Sequence, residues 1–363
     1  MEKIHVQSLA YVHYQHPDLE QALRFLSDFG LVEAQRDGGK VFLRGYGVDP
    51  YCYIAETSPD GARHFKGAYF RAQDLQQLHK AASLYGGSPV CENYGPGGGQ
   101  VVTLTDPNGI SVGVIAGQAL RNINARDEEA GTLELTPQVA NSVIQKPRKG
   151  DTRRFKLGAS PVHKFGHYGI NVPIVKYKET LEWYTTVFNL SPTDCIYDPV
   201  SGEDTTCFTH IDLGSEFTDH HSFFVAGKKD ATKAYVHHSS FEVNDFDTQT
   251  LGHDWLMKNG WTNCWGIGRH VLGSQIFDYW YNIPFMFDPS GNVVEHYSDG
   301  DLVNKGSSVA REPAAPSSLY VWGPNLPLAF MSGKMEDAGK VLVAPPDASN
   351  AKAAHYQTKS TAA

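Results

Sequence analysis

Basic runs are missing from this chain. Its 363 residues hold 31 Lys and Arg against 40 Asp and Glu, a formal charge of −9, and nowhere do basic and aromatic residues interleave. Nucleic acid and anionic membrane surfaces are therefore not expected partners. No segment approaches the ~20 consecutive apolar residues that span a bilayer. The opening residues, Met1-Glu2-Lys3-Ile4-His5-Val6, lack the basic and apolar regions of a secretory signal. Cysteine is scarce: five (Cys52, Cys91, Cys195, Cys207, Cys264) make an odd set with no Cys-x-x-Cys spacing. A disulfide framework is excluded, and scattered reduced thiols in a cytoplasmic protein are expected.

What is present is an ordinary globular composition, 41% hydrophobic and 20% charged, in a chain long enough for two domains. Sixteen histidines are more than usual for this length, which directs attention to metal or acid–base chemistry.

The spacing of elements writes one pattern twice. In the first copy, strand-like runs at 6–14, 41–44, 51–55, 66–72, 100–105 and 110–115 surround helical stretches at 18–29 and 74–84. The second copy predicts strands at 167–172, 206–213, 222–225, 236–243, 274–280 and 293–297, with helices at 178–188 and 248–259. The turns Asp106-Pro107-Asn108-Gly109 and Asp288-Pro289-Ser290-Gly291 are matching landmarks, as are Phe29-Gly30-Leu31 and Phe188-Asn189-Leu190. The expected division is an N-terminal non-catalytic module (1–118), a polar connecting segment (119–160) holding Asp127-Glu128-Glu129, a catalytic metal-binding module (161–300), and an extension (301–363). Within that extension Tyr320-Val321-Trp322-Gly323-Pro324 is expected to pack back on the body and the last residues to be disordered.

Aligning the copies exposes a constellation. Glu295 stands seven residues after Asp288, where the first copy has Gly113. His238 stands seven before Asp245, where the first copy has Gly67, and His167 answers to Ser8 or Leu9. Taken singly, a strand histidine is more often a core or surface residue, and alternation sends adjacent His237 and His238 to opposite faces. Two histidines and a carboxylate on three strands of one copy, replaced by small or apolar residues in the other, are together far more specific. Glu295 in an apolar strand also needs a cation to be buried. Two imidazoles and one carboxylate with open positions are the ligand set of a non-haem Fe(II) site.

The second copy resembles the catalytic module of type I extradiol catechol dioxygenases, in the vicinal oxygen chelate superfamily. The likeness rests on Gly166-His167, His237-His238-Ser239-Ser240-Phe241-Glu242-Val243, Gly268-Arg269-His270-Val271-Leu272-Gly273-Ser274, Asp278-Tyr279-Trp280 and the run from Asp288 to Glu295. The Gly-Arg-His-x-Leu-Gly-Ser form is closest to the branch acting on substituted catechols and trihydroxylated aromatics. The resemblance implies an α+β fold of two tandem modules, each of paired βαβββ units. It also implies Fe(II), with Mn(II) accepting the same ligands, held by His167, His238 and Glu295. His221 would be the acid–base residue, with His220 adjacent, and His270 and Tyr279 would act on a catechol bound beside dioxygen. A homo-oligomer is expected of the family.

One departure stands out. Six residues, Tyr281-Asn282-Ile283-Pro284-Phe285-Met286, widen the usual spacing between Tyr279 and Glu295, and either lengthen the hairpin or push Tyr279 out of line. Two other readings compete with ring cleavage. A glyoxalase-like isomerase would draw ligands from both copies. A non-catalytic binding module would have no use for His221, His270 and Tyr279. Of the large aromatics Trp183, Tyr184, Trp255, Trp261, Trp265 and Trp280, most are expected in the core.

Overall fold

The computed structural model describes residues 2–123, 140–152, 155–282, 293–332, 337 and 339–342. The 127–129 acidic cluster, most of the 281–286 stretch, the turn at 288–291 and the tail from 348 lie outside the described residues.

The first module comprises β1 (Val6–His16), α1 (Leu19–Asp28), β2 (Val32–Asp37), β3 (Lys40–Arg44), β4 (Tyr53–Thr57), β5 (His64–Ala72), α2 (Leu75–Leu84), β6 (Cys91–Glu92), β7 (Gln100–Thr105) and β8 (Ser111–Ala116). Its strands lie in the order β2-β3-β4-β1-β5-β8-β7-β6. The second runs through β9 (Val162–Pro173), α3 (Tyr177–Val187), β10 (Leu190–Tyr197), β11 (Asp204–Ile211), the short β12 (Thr218–Asp219), β13 (Phe223–Lys228), β14 (Tyr235–Val243), α4 (Phe246–Lys258), β15 (Asn263–His270), β16 (Ile276–Tyr281) and β17 (Val293–Ser298). After them come β18 (Leu302–Val303), which pairs with β12, then β19 (Ala310–Pro313), β20 (Tyr320–Trp322) and α5 (Leu328–Ser332). The inner order β10-β11-β13-β9-β14-β17-β16-β15 repeats the first sheet strand for strand, with β19 and β20 at the edges. Each sheet is thus two βαβββ units side by side, the expected α+β architecture.

Local chemistry explains the agreement. Asp74 and Asp245, the landmarks used to align the copies, are both N-caps: their carboxylates accept from Gln76 and Gln77 N–H and from Thr248 N–H. The turn at Asp106 closes on that side chain, which accepts from the N–H of Asn108 at 2.8 Å and of Ile110 at 2.9 Å. Trp183, Tyr184, Trp255, Trp261 and Trp280 do not line the cavity described below, and the indole N–H groups of Trp255 and Trp261 both donate to Asp28 of the first module.

Asn189 is a second tie between modules. Its side chain accepts from Val6 N–H at 2.8 Å and donates to the carbonyls of Val6 and Asp212, each at 3.0 Å. Asn189→Ala leaves these buried groups unpaired and should lower stability by about 3 kcal/mol in chemical denaturation. A loss below about 1 kcal/mol would show that water replaces the amide.

Candidate active site

Strands β9, β14 and β17 are neighbours in the sheet, and their register gathers the three residues singled out above. Ser240 of β14 lies opposite His167 on one side and Glu295 on the other, while His238 sits two residues along on the same face. The small side chain of Ser240 leaves room for its flanking neighbours to meet. His167 Nε2 is 3.0 Å from Glu295 Oε2, His238 Nε2 is 3.4 Å from it, and the two imidazole nitrogens are 3.2 Å apart. All three residues are buried.

These separations fit a single metal ion. Ligand atoms ~2.1 Å from one ion stand ~3.0 Å apart at right angles and ~3.4 Å apart at tetrahedral angles. Glu295 Oε2 is fully buried and has no hydrogen-bond partner, an arrangement that a cation resolves. Burial alone would raise the Glu295 pKa, but the facing His167 and His238 hold it well below the usual carboxylate range. Burial lowers that of His238, leaving a lone pair for a metal.

The surrounding groups orient this centre. Gln275 donates to Glu295 Oε1 at 3.2 Å. His238 Nδ1 lies 2.8 Å from His237 Nδ1, so its N–H is spent there and Nε2 stays open. This corrects the expectation that His237 and His238 face opposite ways: a register shift between Val236 and His238 turns both toward one cavity. Tyr279 pairs directly with Glu295 across β16 and β17, so the wider spacing has not pushed it out of line. Its hydroxyl is 2.9 Å from His270 Nε2, and His270 Nδ1–H donates to the Leu319 carbonyl at 2.7 Å. Burial pushes the His270 pKa down to about 4 and that of Tyr279 well above 10, which leaves a neutral base and a neutral phenol. Arg269, from the same motif, instead braces the following loop through Ser274 O and Asp299.

On the other side, the His221 ring lies 4.1 Å from that of His167 and lines the cavity. His220 does not line it. Its Nε2 is 2.7 Å from Asp194 Oδ2 and its Nδ1 is 3.1 Å from His221 Nδ1. With Asp194 accepting from His220, the imidazole chain leaves His221 Nε2 bare toward the cavity. Burial first, then His167 and His220, keep the His221 pKa well below its ordinary value.

The cavity, about 100 Å³, is walled largely by apolar side chains, Phe208, Phe224, Leu272, Phe330 and Met331 among them. It is of the order of the ~150 Å³ hollow that accepts a benzene ring. Trp265 also lines it, the exception among the tryptophans. The C-terminal extension contributes more than the packing expected of residues 320–324: Ser318, Leu319, Phe330 and Met331 close the cavity. Gln275, Asp194 and these tail residues had no local motif to mark them.

In the first module the matching place is filled by Tyr11 and Tyr69. Tyr11 faces Tyr69 across β1 and β5 as His167 faces Ser240, so Tyr11, not Ser8 or Leu9, is the counterpart of His167. Strand β9 begins at Val162, five residues before the expected start at His167, and this displaced the count. The Tyr11 and Tyr69 rings stack at 4.3 Å. Where the second module has Glu295, a Cβ on Gly113 would meet the Tyr69 ring at 1.9 Å.

Comparison with known proteins follows the same lines. Metapyrocatechase 2 of Cupriavidus necator is 29% identical over 334 residues, 90% of this chain and 92% of that protein. The structure of homoprotocatechuate 2,3-dioxygenase from Brevibacterium fuscum in complex with 3,4-dihydroxyphenylacetate superposes with a TM-score of 0.69 at 15% identity, over 91% of this chain and 92% of that one. A Mn(II)-bound glyoxalase from Novosphingobium aromaticivorans gives 0.68 at 17% identity, over 94% and 96%. At such identities the structural likeness speaks for the fold. Residues 164–296 match the family described as Glyoxalase/Bleomycin resistance protein/Dioxygenase superfamily. The family match falls on the second module, and the two-module fold is shared with these two solved structures.

Proposed function

We propose that this protein is an extradiol dioxygenase that opens a catechol ring beside its vicinal hydroxyls, using Fe(II) held by His167, His238 and Glu295. The observation that carries the reading is that all three ligands come together in one module, beside a largely apolar cavity lined by His167 and His238 and also by His221, His270 and Tyr279. A glyoxalase-like isomerase is disfavoured by Tyr11, Gly67 and Gly113, which supply no ligand from the first module. The N-terminal module, residues 1–118, acts in this reading as a packing partner only.

His167, His238 and Glu295 would hold the Fe(II), which would supply Lewis acidity toward the catechol hydroxyls and the redox chemistry that dioxygen needs. The chain does the rest. His270, tethered to the Leu319 carbonyl, presents a neutral Nε2 to a catechol hydroxyl and orients the ring. Tyr279, kept protonated by burial and donating to His270 Nε2 in the substrate-free site, turns its hydroxyl to the adjoining catechol oxygen when that nitrogen takes up the first. His221, neutral with Nε2 open, takes and returns a proton at the oxygen being inserted. Trp265, Phe330 and Met331 exclude water. Both atoms of dioxygen enter the ring-opened, 2-hydroxymuconic-type product, one in a new carboxyl and one in a new aldehyde or ketone, and no external reductant is consumed.

Protein loaded anaerobically with Fe(II) and given a panel of catechols should take up one dioxygen per ring opened and form a yellow product. Bound iron without oxygen uptake on any member of the panel would overturn ring cleavage in favour of binding alone. Parallel loading with Mn(II) reports which metal supports turnover.

A further inference from the structure

One cation stands on the cavity wall that ring cleavage does not use. Strand β13 alternates Phe224, Ala226 and Lys228 onto the cavity face. Lys228 is half-buried at the strand's end, and its Nζ donates to the Met331 carbonyl at 3.2 Å. That carbonyl is its hydrogen-bond partner among the described residues, and no carboxylate of those residues forms an ion pair with it. Among the described residues two of the three ammonium protons have no partner, and Phe224, Ala226 and Met331 beside them on the cavity wall are apolar. Burial lowers the Lys228 pKa, with the charge of Asp230 opposing. An ammonium in such surroundings is stabilised by an anion and by little else nearby.

Its place sets the size of that anion's carrier. Phe224 pairs with Gly169, which pairs in turn with His238. Lys228 lies four residues further along β13, about 13 Å of strand, part of which the lysine side chain recovers. A ring oriented by His270 and Tyr279 would reach Nζ only through a short aliphatic arm.

Building on the ring-cleaving reading, we propose that Lys228 is a specificity residue that receives the carboxylate of the substrate, a catechol bearing a short side chain ending in that group. Ring and carboxylate would then be held at opposite ends of the cavity, the ring by the metal side and the carboxylate by a charge-assisted hydrogen bond.

The probes are 3-(3,4-dihydroxyphenyl)propionate and its carboxamide, equal in size and differing in charge. Binding is measured by calorimetry without oxygen on the Fe(II)-loaded wild type, Lys228→Gln and Lys228→Arg, followed by oxygen uptake. Wild type should bind the carboxylate at least about tenfold more tightly than the amide. Lys228→Gln, which can still donate to the Met331 carbonyl, should erase that preference by weakening the carboxylate alone, and Lys228→Arg should keep most of it. If both probes weaken equally in Lys228→Gln, Lys228 merely anchors the C-terminal helix and the inference fails. It fails also if wild type does not discriminate, whether or not both catechols are cleaved. Lys228-dependent carboxylate binding with no oxygen uptake would uphold the anion site and sink ring cleavage instead.

Discussion

Glu295→Gln is expected to lose bound metal and oxygen uptake, each by more than about 100-fold, since groups that only support a ligand already cost 10–100-fold. Glutamine keeps the volume of the side chain and can still accept from Gln275, so the strand pairing of β16, β17 and β14 has no reason to change. What disappears is the one negative charge among three converging lone-pair atoms. A neutral set of two imidazoles and an amide holds a hard divalent ion poorly. Two measurements separate this from misfolding. Metal content after dialysis should fall to background in the variant. Added Fe(II) or Mn(II) should raise the unfolding temperature of the wild type, because only the folded state binds it, and leave that of Glu295→Gln unmoved. Iron retained near the wild-type level would remove Glu295 from the ligand set.

Much of this was legible because the repeat supplied its own control. Asp74 and Asp245 cap equivalent helices, so counting back from them places His238 and Gly67 correctly, and counting from the turns places Glu295 against Gly113. These are local signals, set by capping and turn chemistry. The count failed where a strand starts before its expected residue or departs from strict alternation. The early start of β9 at Val162 hid Tyr11 behind Ser8 and Leu9, and the bulge before His238 brought His237 into the cavity. A bulge is decided by pairing with a strand far away in sequence, and neither residue type nor spacing announces it. Strand β15, with Gly266 and Gly268 in it, reads too weakly as a strand on composition. Gln275, Leu319, Phe330 and Met331 were beyond reach for another reason. Each acts through one long-range contact, and an isolated Gln or a five-residue helix carries no periodicity to point at a partner.

The same long-range contacts decide between two adjacent histidines that the sequence leaves equivalent. His221→Asn is expected to slow oxygen uptake by about 10²–10⁴-fold, the usual loss on removing a positioned acid–base group, with catechol still bound. The ring of His221 lies against His167, with Nε2 on the cavity side, whereas His220 is turned away and engaged by Asp194. Asparagine keeps a polar amide where Nδ1 meets His220 and removes the basic Nε2 argued to act on the substrate. His220→Asn should cost far less, because it disturbs the tautomer of His221 without removing its lone pair. Anaerobic binding of catechol, compared with oxygen uptake on mixing, separates the two steps. His221→Asn should leave the first within about threefold, as no binding contact is lost, and slow the second. A larger defect in His220→Asn would transfer the role to His220 and require the Asp194 side of the chain to open toward the substrate.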